Sequence, residues 1–330
     1  MKKISIIHFV FLVTLCACQE YDFNQEQYRK EVNLLSDLNQ IYDRQVAELQ
    51  QGKDTIYVVA ELSGSQPSTE AYTVGLLPSD TLLNAYNKSN YDIAKDRYAK
   101  YLPTDCYELP NTQATIPMGA SKTLFPVYLR NLDILSPDST YFLEYKIDSL
   151  QTPNCNPQKR HVLLRIHKKN YYATTQTATF YNYTSTTVVT PNADGSSETR
   201  RPTNANQVFP IGDTTVRLLA GDEDMGDYAK ALDIINNGSL ILNIEEQMPE
   251  NPLARNITIK PYKTIDVVQL TPIDDYDNTF LLNIIRTPDG RATYYKEFRL
   301  HYKYRLQSTS PYREVKAKLR LQFNPRVDNL

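Results

Sequence analysis

From Thr55 onward the chain is a succession of short runs rich in Val, Ile, Leu, Thr and Tyr, each cut off by Pro, Gly, Ser, Asn or Asp. Residues 56–62 end at Ser63-Gly64-Ser65, and 72–77 end at Pro78-Ser79-Asp80. Residues 124–129 and 141–147 complete the first half, with Pro126 marking an edge or a bulge. In the second half the runs are 162–167, 214–219, 239–244, 256–261, 266–270, 280–286, 292–304 and 315–323. Thr287-Pro288-Asp289-Gly290 forms a hairpin turn between two of them. Short runs at this spacing, with no long helical pattern between them, predict an all-β protein. Only 82–87 and 229–235 have the character of short helices. Tyrosine is abundant (25 residues) and suits pleated, half-buried surfaces.

A chain of 330 residues can bury two cores. Residues 151–160 are rich in Pro, Asn and Gln and read as a linker. The expected order is a β-sandwich over 28–150, that linker, and a second antiparallel β domain over 161–330, a sandwich or a barrel. The run 162–167 lies close enough to the boundary to pair with the first domain. Residues 26–49 are ambiguous. Leu34, Leu35, Leu38, Ile41, Tyr42, Gln45, Val46 and Leu49 fall near one helical face, yet Val32 and Leu34 alternate as in a strand.

The N-terminus carries an address. Lys2 and Lys3 precede an apolar run over 4–15, and Leu15-Cys16-Ala17-Cys18 follows at once. The run is shorter than the ~20 residues needed to span a bilayer. It reads as an export signal (1–17) cleaved before a lipid-bearing Cys18. Acyl chains at ~0.8 kcal/mol per buried methylene would anchor the protein without a spanning helix. Residues 18–27 form an acidic tether through Glu20 and Asp22. The formal charge of −2 becomes −4 once Lys2 and Lys3 leave, which argues against a nucleic-acid partner.

After cleavage Cys106 and Cys155 are the remaining thiols. Outside the cytoplasm they either pair, closing a loop of about 50 residues worth ~4 kcal/mol by chain entropy, or stay separate. His161 and His167 stand six apart on one strand, about 20 Å, too far to share a metal. Asp222-Glu223-Asp224 reads as a solvated turn. Asp274, Asp275 and Asp277 read as another, with a calcium loop as the weaker alternative.

The tyrosines are the remaining chemistry. Their rings can pack on the C–H faces of sugars, although most strand aromatics belong to cores. The candidates are Tyr86, Tyr91, Tyr98 and Tyr101 in a polar excursion, and Tyr181 and Tyr183, which alternation puts on one face.

The first half resembles a family of Bacteroidota surface lipoproteins whose N-terminal module is an immunoglobulin-like domain of unknown function. The same module precedes the catalytic domain of certain surface endoglycosidases. The resemblance is carried by Tyr28-Arg29-Lys30-Glu31-Val32-Asn33-Leu34, Leu82-Leu83-Asn84-Ala85-Tyr86-Asn87, Tyr101-Leu102-Pro103, Tyr107-Glu108-Leu109, Ala114-Thr115-Ile116-Pro117-Met118-Gly119 and Tyr141-Phe142-Leu143. It covers residues 28–149 and implies two strands, not a helix, over 26–49. The second half is similar to the all-β partner domain found behind that module. The resemblance implies a lipid-anchored outer-membrane protein facing the cell surface, binding a glycan ligand beside an outer-membrane importer. No glycosidase domain follows, so no catalytic residue is carried over, and neither enzyme activity nor a cofactor is expected. A structural or protein-binding lipoprotein is the alternative.

Overall fold

The computed structural model describes residues 25–49, 53–224, 226 and 231–326. The signal segment, Cys18 and most of the acidic tether lie outside them. The first domain contains β1 (Val32–Leu34), β2 (Ile41–Glu48), β3 (Lys53–Leu62), β4 (Tyr72–Pro78), α1 (Leu82–Tyr91), β5 (Lys100–Tyr101), β6 (Tyr107–Glu108), β7 (Gln113–Ile116), β8 (Lys122–Arg130), β9 (Tyr141–Ile147) and β10 (His161–Lys169). The ambiguous 26–49 region is two strands, as the resemblance implied.

One sheet has the order β1-β3-β8-β6, and the other β2-β10-β9-β4-β7 with β5 added on β9. Alternation explains their packing: Ile56, Val58 and Ala60 of β3 and Phe125, Val127 and Leu129 of β8 face the shared core. They meet Leu143, Tyr145 and Ile147 of β9 and Val162 and Leu164 of β10. Pro126 sits where β6 does not reach, since β6 pairs only with Tyr128 and Leu129. Strand β10 pairs with β9 and runs parallel to β2, so it completes the second sheet of the first domain. The linker segment is the turn between β9 and β10.

Helix α1 covers the outer face of the second sheet. Leu83 packs on Phe142 and Leu163, and its N-terminus is capped by a strand carboxylate. Buried Glu144 accepts from the backbone N–H groups of Thr81 and Leu82 at 2.8 and 3.0 Å. It also accepts from the Tyr101 hydroxyl at 2.7 Å. Burial would raise the Glu144 pKa, but these hydrogen bonds outweigh it and hold the carboxyl below its usual value. Its stabilising contribution is therefore present above about pH 4.3 and lost as pH falls through the lower folded value. The thermal stability of the native protein should fall on acidification below that point. Glu144→Gln should cost about 2 kcal/mol at neutral pH and flatten the acid limb. An unchanged limb would contradict the capping role.

The second domain contains β11 (Thr179–Tyr183), β12 (Thr187–Pro191), β13 (Ser197–Arg200), β14 (Ala205–Gly212), β15 (Thr215–Leu219), α2 (Ala231–Gly238), β16 (Ser239–Met248), β17 (Asn251–Pro261), β18 (Asp266–Gln269), β19 (Thr279–Arg286), β20 (Ala292–Arg305) and β21 (Arg313–Phe323). The order β11-β14-β15-β16-β17-β19-β20-β21 closes when β21 pairs back with β11. The domain is thus an eight-stranded up-and-down barrel, which decides between the two expected forms. Closure leaves none of the eight with a free edge along its whole length. The β12–β13 hairpin extends one rim, turning at Asp194-Gly195 with Gly195 at φ +84°. The interior is filled. Tyr181, Phe280 and Phe298 pack with ring centres 4.9–5.4 Å apart, beside Tyr302 and Tyr304.

The domains dock through a buried ion pair. Arg217, on the outer wall of β15, is 1% exposed and makes a forked contact with Asp138 of the first domain at 2.5 and 2.6 Å. Its guanidinium lies 4.5 Å from the Phe209 ring centre and 5.1 Å from that of Tyr262. Nearby, Lys168 Nζ donates to the Leu135 carbonyl, and Asn170 Nδ2 to those of Gly212 and Thr215. Burial, with the Arg217 charge, pulls the Lys168 pKa down to about 8.

Candidate functional site

A cleft of about 240 Å³ lies where the outer wall of the barrel meets α2 and the turn after β15. Phe180 comes from β11, Gln207 and Phe209 from β14, Leu219 from β15 and Ser239 from β16. Register brings them together: Phe180 is opposite Gln207, Phe209 opposite Arg217, and Leu219 opposite Ser239. Their neighbours Tyr181, Val208, Leu218 and Leu240 point inward to the core, so strand alternation puts this set outside. Ile235 of α2, Pro202, Asn204 and residues 222–224 complete the described lining.

The acidic turn is held in place by buried phenols. Gly221 has φ +54°, and a Cβ there would stand 2.8 Å from the Tyr304 ring. Its N–H donates to the Tyr302 hydroxyl at 2.7 Å, and its carbonyl accepts from the Tyr183 hydroxyl at 2.6 Å. Burial, with the Asp222 and Glu223 charges close by, pushes the Tyr183 phenol up to about 12 despite its hydrogen bond from Asn206, so it remains a neutral donor. Glu223 accepts from the Tyr304 hydroxyl at 2.9 Å and from Arg313 at 2.7 Å. Asp222 pairs with Arg200 at 3.5 Å. Asp222 and Glu223 therefore belong to a half-buried ion network and are not simply solvated, while Asp224 is exposed.

Several polar groups of the cleft are left unspent. The Ser239 hydroxyl is buried without a hydrogen-bond partner. The side-chain amides of Asn204 and Gln207 have no partner among the described residues. One Asp224 oxygen accepts from the Gly226 N–H, and the other has no partner among the described residues. Aromatic walls with a few convergent polar groups are the usual makings of a small-ligand site.

The tyrosine candidates separate. Tyr181 is 0% exposed, its hydroxyl donating to the Tyr172 carbonyl at 2.9 Å, so it is a core residue and not a ligand platform. The face it shares with Tyr183 is the barrel interior; Tyr183 reaches the cleft only at the rim. Tyr86, Tyr91 and Tyr98 do come together, with ring centres 6.2 and 6.4 Å apart. Tyr86 meets Tyr91 edge-on at 71° and packs 4.8 Å from buried Phe142, which seats the helix on the sheet. Tyr101 is tied to Glu144.

Cys106 and Cys155 are separate thiols; the buried Cys106 Sγ lies 3.7 Å from the Asn131 carbonyl. No three metal-ligating side chains converge among the described residues. In the suggested calcium loop Asp275 pairs with Lys318, and Asp277 accepts from Thr279, so two of the three carboxylates are engaged by other side chains. His167 bonds Thr175 and Asp43, and His301 bonds Thr271 and Glu314. Phe180, Phe209, Asn204, Gln207 and Ser239 escape sequence reading, because only barrel register makes them neighbours.

The fold defines a two-domain all-β protein, an immunoglobulin-like sandwich followed by an eight-stranded barrel. Residues 28–154 match a family model described as an N-terminal domain, and 160–320 one described as C-terminal. The chain belongs to this two-domain Bacteroidota family. A protein of unknown function from Bacteroides ovatus is 16% identical with a TM-score of 0.62, covering 90% of this chain and 93% of that one. A second from the same species is 15% identical with a TM-score of 0.61, covering 88% and 94%. An auxiliary nutrient binding protein from Bacteroides thetaiotaomicron is 17% identical with a TM-score of 0.58, covering 87% and 94%. At these identities the likeness is one of fold. No curated protein matches the sequence.

Proposed function

We propose that the protein is a lipid-anchored outer-membrane lipoprotein, facing the cell surface, that captures glycans as a non-enzymatic accessory of a polysaccharide-utilisation system. The observation that carries this reading is the cleft. Aromatic rings offer faces to sugar C–H groups, and unspent amide, hydroxyl and carboxylate groups suit sugar hydroxyls. The lipid-cysteine signature supports the address, and the nutrient-binding name of one structural relative is consistent with it. Affinity electrophoresis of the mature chain with Cys18→Ser, over a broad polysaccharide panel, tests it. Retardation by at least one polymer is expected, weakened in Phe180→Ala. No retardation by any polymer from a folded sample would overturn it.

A second reading, a partner of the importer, has one observation in its favour. On the outer face of the first sheet, Tyr57 lies opposite Pro126 and Val59 opposite Leu124, with Tyr128 beside them. Tyr57, Leu124 and Tyr128 are exposed. An antiparallel sheet normally shows water a polar face, and an apolar strip bounded by Lys53, Arg130, Glu108, Glu61 and Lys122 has the anatomy of a protein contact. Loss of importer co-purification in a Tyr57→Lys, Tyr128→Lys variant that still binds glycan would establish it beside the first reading.

A further inference from the structure

We infer that the cleft seats a single, uncharged sugar ring at the end of a glycan chain and rejects acidic sugars; this rests on the glycan-capture reading. Size is the first ground. At about 240 Å³ the cleft falls below the ~300–1,000 Å³ of sites that enclose drug-sized ligands. Ile235 and the 222–224 turn line the space together with the strand wall, so it is bounded by more than a sheet face.

Charge is the second ground. Asp222, Glu223 and Asp224 line the cleft together with one cation, Arg217, which is spent on Asp138. Arg200 and Arg313 neutralise Asp222 and Glu223 from outside the lining. Asp224 contacts no cation among the described residues. A uronate or sulfate entering here would meet a carboxylate and find no unspent cation among the described lining residues, and an unpaired charge taken from water is costly. Sugar hydroxyls, by contrast, can donate to Asp224 and exchange hydrogen bonds with Gln207 and Asn204. The buried, unpartnered Ser239 hydroxyl belongs to a lining residue and gains the partner it lacks when a ring hydroxyl reaches it.

The test is calorimetry on the mature chain with Cys18→Ser, using glucose-, galactose- and mannose-based oligosaccharides and matched chains capped with glucuronate. At least one neutral series should bind, with affinity changing less than about threefold from the disaccharide to the hexasaccharide. The glucuronate-capped match should bind at least tenfold more weakly, and Asp224→Asn should narrow that gap. Equal or tighter binding of the acidic chain, or affinity that climbs with every added sugar, would overturn the inference while leaving glycan capture standing. Silence from every chain would instead overturn the capture reading. Because Asp224 is exposed, its variant tests charge without disturbing the fold.

Discussion

Asp138→Ala should destabilise the protein by about 3–5 kcal/mol, because it leaves the Arg217 guanidinium buried without its counter-charge. Arg217 is held between Phe209 and Tyr262 and cannot swing out to water without leaving both rings. The buried Lys168 ammonium, whose pKa the Arg217 charge already lowers, would lose a compensating carboxylate as well. The expected signature is more than a lower melting temperature. The ion pair bridges sandwich and barrel, so unfolding should separate into two calorimetric transitions. Arg217→Met with Asp138→Leu removes both charges and should recover most of the loss, since paired removal of a buried ion pair is often nearly neutral. A single mutant within 1 kcal/mol of the native protein would show that the pair does not join the domains.

The second large effect is expected in the barrel wall, where β20 lies between β19 and β21. Glu297, 0% exposed, lies on β20 opposite Leu281 of β19 and Arg320 of β21. It accepts from Arg299 Nε at 2.6 Å, from Arg320 Nε and from Asn283. Burial favours its neutral form, but the two guanidinium groups prevail and hold its pKa below the usual carboxylate value. Glu297→Ala would leave the Arg299 and Arg320 guanidinium groups without their shared carboxylate on adjacent strands β20 and β21, at a cost of about 3–5 kcal/mol. The melting temperature of the barrel should drop on the order of 10 °C, with Glu297→Gln intermediate. An alanine variant as stable as the native protein would mean that this part of the barrel wall is held by backbone pairing and packing alone.

Much of the fold is legible in residue order because strands announce themselves by alternation and turns by Gly and Pro. The hairpin at Gly290 is an example, with φ +84° and its N–H on the Thr287 carbonyl at 2.9 Å. Strand β13, Ser-Glu-Thr-Arg, is exposed at every position and carries no apolar alternation to reveal it. Barrel closure is invisible for a different reason. It depends on β21 reaching β11 across more than 130 residues, and no local period encodes that. The same limit governs the site. Alternation rightly puts Tyr181 and Tyr183 on one face, but not which face, and a one-residue shift of strand register exchanges core and surface. Phe180, one residue from Tyr181, is the ring that faces the cleft. The apparent helix over 26–49 has the same origin: β2 lies at a sheet edge, where its periodicity is weakly constrained.

The most direct measurement is a calorimetric titration of the mature chain, native and Phe180→Ala, with an oligosaccharide cut from the best polymer of the panel. Phe180 is half exposed and carries little of the fold, so its loss reports on the cleft and not on stability. Saturable one-to-one binding in the native chain, weakened about tenfold or more (~1.4 kcal/mol) in the variant, is the expected result. Equal affinity in both would contradict capture at this cleft and move the site to another surface of the molecule.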